Sequence, residues 1–145
     1  MRWSMSVALA VLLALGAARV RAGEAAQAAT NTGVKPVASV MDIMKTMTIP
    51  FSNAVFEAGG EPPKDEAGWE AVRSQAVALA EAGNLLMLGS RAKDRAAWVK
   101  YSRAQVDAAE AVAKAAVAKN ADQLSTAADA LYETCAACHK DYLPK

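Results

Sequence analysis

Apolar residues return every three or four positions along four successive stretches of this chain, and no stretch alternates in the two-residue period of a strand. That periodicity limits the chain to packed amphipathic helices. The first stretch begins at Pro36, a residue suited to a first helical turn, and runs to about Ala58 before Gly59-Gly60. Its stripe reads Val37, Met41, Met44, Thr48, Phe51, Val55, with a parallel line through Val40, Met44, Met47 and Phe51. Pro50 removes one backbone donor inside this pattern, so a bend or short break is expected near Thr46 to Pro50.

A loop containing Pro62-Pro63 follows, and Asp65 is placed to cap the second helix, with Glu66 and Glu70 in its first turns where the helix dipole favours acids. Its stripe is Trp69, Val72, Ala76, Leu79, Gly83, Leu86, ending at Gly89-Ser90. The third helix starts near Asp94 and closes at Lys119. Its stripe is Trp98, Tyr101, Gln105, Ala108, Val112, Ala115, with a second line through Val99 and Val106. Asn120 caps the fourth, with Gln123 in capping-box register, and the stripe reads Leu124, Ala128, Leu131, Cys135, Cys138, Tyr142. Short joins force neighbouring helices antiparallel. With no hairpin signal, the expected fold is all-α, a four-helix up-down-up-down bundle over residues 36–145.

The fourth stripe carries the chemistry. Cys135-Ala136-Ala137-Cys138-His139 holds both cysteines and the only histidine of the chain. Thiols at i and i+3 leave a helix on one face, where they can form thioethers to the two vinyl groups of one haem, and the next imidazole can reach the iron. Two other readings use the same residues. A thioredoxin-like redox pair expects a strand before the motif and a helix after it, whereas an alanine-rich helical pattern precedes it here. A zinc site needs about four ligands, and there is no third cysteine or second histidine. One covalent haem c is therefore expected, facing the bundle interior because both cysteines lie on the core stripe.

At the other end, Arg2 precedes an Ala, Val and Leu run from Val7 to Ala18 that is too short to span a bilayer, and Val20-Arg21-Ala22 suits a signal peptidase. Residues 1–22 are expected to be a cleaved signal peptide, with an uncleaved anchor as the alternative, and residues 23–35 a flexible arm. The leader holds three of the 16 basic residues and none of the 15 acidic ones, so the mature chain is mildly acidic. It lacks the basic stripe of a nucleic-acid binder and any second long apolar run for stable membrane insertion. The expected location is the periplasm.

Four helices with Cys135-Ala-Ala-Cys-His-Lys-Asp-Tyr142 on the last resemble the class II c-type cytochromes, the cytochrome c′ group and its low-spin relatives with a methionine ligand. The resemblance spans about Pro36 to Leu143 in architecture, and only the haem motif and Tyr142 carry it at residue level. It implies that Cys135 and Cys138 anchor the haem and that His139 is the proximal iron ligand. The family's opposite iron face is either open or apolar, or takes a methionine from the first helix. Met44 lies on both first-helix stripes and is the leading candidate, Met41 the next and Met47 the third, set against the gap-filling role common to core methionines. Met87, Trp69, Trp98 and Tyr101 read as packing, and Arg73 and Lys140 as surface residues able to reach a propionate.

The implied function is a soluble mono-haem carrier of single electrons between redox partner proteins, not an enzyme. The alternative is a five-coordinate haem protein that binds nitric oxide or carbon monoxide. A peroxidase needs a distal acid-base group, for which only Arg73 offers itself. Either leading reading is compatible with a homodimer formed through outer helix faces.

Overall fold

The computed structural model describes residues 35–143, all of whose regular structure is helical. The expected signal peptide (1–22) and, but for Lys35, the expected arm (23–35) lie outside the described residues.

The first helical run has three continuous parts: α1 (Val40–Ile43), a π-helical turn (Met44–Thr48) and α2 (Ile49–Gly60). It starts at Val40 and not at Pro36, because Ser39 is the cap. Ser39 Oγ accepts the Asp42 N–H at 3.1 Å and Asp42 Oδ2 accepts the Ser39 N–H at 2.9 Å, a capping box; the Ser39 hydroxyl, donating to Asp42 Oδ2 at 2.7 Å, and then the Ser39 N–H hold the Asp42 carboxyl below its ordinary value. Val37 is left outside the helix and 90% exposed, while Ile43, absent from the expected stripes, is buried.

Pro50 has no N–H to offer Thr46, and its ring crowds that carbonyl. The helix accommodates this by widening the turn just before it. The Ile49 N–H donates to Met44 O, five residues back, and Pro50 falls in the first turn of α2. The expected break is thus a π turn, and the chain continues through it as helix.

The other three helices begin where their caps put them. In α3 (Glu66–Leu86) Asp65 Oδ1 accepts the Gly68 N–H at 2.8 Å; in α4 (Arg95–Val117) Asp94 Oδ1 accepts the Ala97 and Trp98 N–H groups; in α5 (Ala121–Tyr142) Asn120 Oδ1 accepts the Gln123 N–H at 3.0 Å. The Asn120 N–H is already committed to Ala115 O and the Lys119 N–H to Ala116 O, with Lys119 at φ 52°, a Schellman closure of α4. The reciprocal half of the expected capping box therefore has no donor left to receive.

α3 packs on α4, α4 on α5, and α2 on both α3 and α5. Gln105 Nε2 donates to Leu79 O and Trp98 Nε1 to Leu86 O, while Phe56 meets Tyr132 edge-on and Gly59 meets Ala128. Residue numbers rise on one helix as they fall on its neighbour, so the helices form an up-down-up-down bundle. Gly59 is required at its crossing, since a Cβ there would lie 2.7 Å from Ala128 Cβ.

The α3 stripe is buried at every expected position, and on α5 Leu124, Ala128 and Leu131 are buried with Cys135, Cys138 and Tyr142 half-buried beyond them. On α4 the buried line is Trp98, Ser102, Gln105, Ala109, Val112, Ala116, leaving the expected Tyr101 and Ala108 half-buried beside it. All three seams repeat every seven residues, the spacing of helices that cross at a shallow angle. The core divides into an alanine-rich cluster containing Leu79, Leu124 and Leu131 and a second cluster of Ile43, Ala82, Leu86 and Trp98 at the other end. Among the described residues no helix is long and apolar enough to cross a membrane.

Candidate functional site

At the second cluster the four helices enclose a cavity of about 30 Å³. The first run supplies Met44 and Thr48, α3 supplies Leu86, α4 supplies Trp98, Tyr101, Ser102 and Gln105, and α5 supplies Thr134, Cys135, Cys138 and His139. The bundle thus brings the expected Cys-x-x-Cys-His run and the leading first-helix methionine to one space. Met41 is 56% exposed and Met47 packs on the cluster without lining the cavity, so Met44 alone of the three reaches it. The π turn spans Met44 to Thr48 and sets both on the cavity wall.

Burial pushes the Cys135 thiol up from its ordinary value; for Cys138 burial does so first, with Cys135 and Asp141 adding to it. Both cysteines also sit in the last turns of α5, the negative end of the helix dipole. Redox-active thiol pairs work the other way, with a thiolate stabilised at a helix N-terminus or beside a cation. Here burial disfavours the thiolate at both sulfurs. Among the described residues no group of three or more His, Cys, Asp or Glu side chains is arranged to hold a bare metal ion.

The last turn of α5 is fastened to α4 by aromatic residues. Tyr142 OH donates to Asp94 Oδ2, the carboxylate that also caps α4, and Tyr101 OH donates to Asp141 Oδ2 at 2.6 Å. Tyr142 packs edge-on against Trp98 and Tyr101 at 4.9 and 6.1 Å between ring centroids. His139 is exposed at the end of the α5 seam, one turn before Tyr142.

The Asp94 hydrogen bond pushes the Tyr142 hydroxyl up to about 12, while the Tyr142 O–H, followed by the Trp98 and Ala97 N–H groups, holds the Asp94 carboxyl below its ordinary value. The tyrosine contribution is therefore complete below about pH 10 and is lost as pH rises through about 12. The aspartate contribution is complete above about pH 4 and is lost as pH falls through its lowered value. Alkaline titration followed by tyrosinate absorbance is expected to show a step near pH 12 that is missing from Tyr142→Phe. A wild-type titration in which every tyrosine has the ordinary midpoint near pH 10 would mean that the clamp does not form.

Several residues lie elsewhere than a propionate or distal role requires. Arg73 is in the opposite half of α3, where its Nε and Nη2 donate to Glu70 at 2.8 and 2.7 Å. Trp69 belongs to the alanine-rich cluster, and Met87 is half-buried outside the cavity lining. Lys140 is exposed in the last turn of α5. Arg91 carried no signal in the sequence, yet its Nε and Nη2 donate to Ala38 O and its Nη1 to Leu85 O, tying the start of the first run to the end of α3. Ser102 and Thr134 were also invisible as site residues, being small polar side chains inside an apolar pattern.

In chemical kind the donor set fits a haem: two thiols three residues apart, an adjacent imidazole, a thioether on another helix, and apolar walls from Leu86 and Trp98. In volume the cavity matches one or two water molecules, so a porphyrin enters only if the side chains at this end of the bundle part. No protein family, curated protein or solved structure matches the chain.

Proposed function

We propose that the chain is a mono-haem c-type cytochrome of the class II kind, carrying single electrons between redox partner proteins in the periplasm. The observation that supports it most is the convergence of Cys135, Cys138, His139 and Met44 on one cavity. Haem c, when bound, supplies a couple that accepts and returns one electron without breaking a bond.

The chain's own residues do the remaining work. Cys135 and Cys138 would hold the group through two thioethers. His139 offers an imidazole nitrogen from the same helix. Met44 offers a soft sulfur that favours the ferrous state and raises the reduction potential relative to weaker ligands. Leu86 and Trp98 limit water, and the Tyr142–Asp94 and Tyr101–Asp141 bonds hold the end of α5 in register with α4.

Expressed with its leader in a bacterial host with working cytochrome maturation, the chain is expected to emerge coloured and heavier than the bare mature polypeptide by one haem. Its reduced spectrum is expected to have sharp low-spin bands that carbon monoxide leaves unchanged. A colourless product of bare polypeptide mass would falsify the haem assignment. A broad high-spin spectrum that responds to carbon monoxide would replace the carrier with a five-coordinate protein binding nitric oxide or carbon monoxide.

A further inference from the structure

Thr48 is 5% exposed, lines the cavity, and has a hydroxyl with no hydrogen-bond partner among the described residues. An orphaned buried hydroxyl costs free energy and calls for a cause. The other described threonines bond back to their own helices: Thr46 to Asp42 O, Thr126 to Asp122 O and Thr134 to Leu131 O. Thr48 alone lacks such a bond; it stands at the end of the π turn, where the Ile49 N–H donates to Met44 O. Thr48 thus keeps a donor to spare on the wall that also carries Met44.

Three other donors around the cavity are committed. Trp98 Nε1 donates to Leu86 O, Gln105 Nε2 to Leu79 O, and Tyr101 OH to Asp141. Ser102, buried on the α4 wall, is the rival hydroxyl.

We infer that Thr48 is a positioning residue whose hydroxyl donates a hydrogen bond to the atom bound to the iron opposite His139. With haem bound, that atom would be the Met44 sulfur, and a small exogenous ligand once Met44 is removed. The inference rests on the haem reading above. A hydrogen bond to the sulfur draws electron density from it and favours the reduced state, so Thr48 raises the potential that Met44 alone would set.

The test uses the haem-loaded protein. Thr48→Val, which keeps the shape and removes the hydroxyl, is expected to lower the reduction potential, and Thr48→Ser to restore it. In a Met44→Ala background, adding Thr48→Val is expected to raise the C–O stretching frequency of the ferrous carbon monoxide complex, because a donor to the bound oxygen is lost. Thr126→Val, outside the cavity, is the control and is expected to leave both readings unchanged, while Ser102→Ala tests the rival hydroxyl. If Thr48→Val changes only thermal stability, or if Ser102→Ala reproduces its shifts, the inference is overturned. Failure of the parent reading looks different, since no variant would then carry haem.

Discussion

Replacing Cys135 and Cys138 together with serine is expected to abolish covalent haem attachment completely while leaving the bundle folded. Both thiols are half-buried at the end of the α5 seam, outside the alanine-rich cluster that packs the other half of the four helices. Exchange of a half-buried thiol for a hydroxyl at such positions costs about 1 kcal/mol each, small beside the stability of a domain this size. Mass spectrometry after cytochrome maturation then reports the bare polypeptide, and circular dichroism reports unchanged helix. Each single variant keeps one thioether, so denaturation separates the two cases from wild type by whether haem stays with the chain. Full haem retention in the double variant under denaturing conditions would remove these cysteines from the site.

Met44→Ala is expected to convert a low-spin spectrum to a high-spin one that responds to carbon monoxide, with a fall in reduction potential. The loss of the side chain also costs about 2 kcal/mol, toward the lower end for such truncations because Met44 is only half-buried. Met41→Ala is the control. Its side chain is 56% exposed and outside the cavity lining, so the spectrum is expected to stay as in wild type. Met47→Ala removes packing from the second cluster and lowers stability without changing spin state. A low-spin spectrum that survives in Met44→Ala would transfer the ligand role to another residue or remove it from methionine altogether.

These expectations differ in how much of them the order of residues contains. The α3 seam and the positions of Cys135 and Cys138 on the α5 seam follow from the spacing of apolar side chains, because a helix puts residues three and four apart on one face whatever it packs against. The caps at Asp65, Asp94 and Asn120 are local in the same sense, each joining a side chain to a backbone N–H at most four residues ahead. Ser39 with Asp42 was equally local, and Pro36 hid it by offering a plausible earlier start. On α4 the reading by hydrophobicity favoured Tyr101 and Ala108, whereas packing buried Ser102, Ala109 and Ala116, since small side chains let the helices approach. Gly83 marks that approach, with Val106 Cγ2 2.7 Å from where its Cβ would stand.

By itself the sequence determined the helices, their antiparallel order, and the grouping of two thiols and an imidazole on one helical face, because those depend on bonds and periodicities within a few residues. Only the tertiary structure decided which methionine meets that face, that Tyr142 locks onto Asp94, that Arg91 ties Ala38 to Leu85, and that Thr48 keeps an unspent hydroxyl. Each of these joins segments far apart in the chain, or turns on the roll of one helix against three others. That roll is set by the whole packed bundle, and no single stripe contains it.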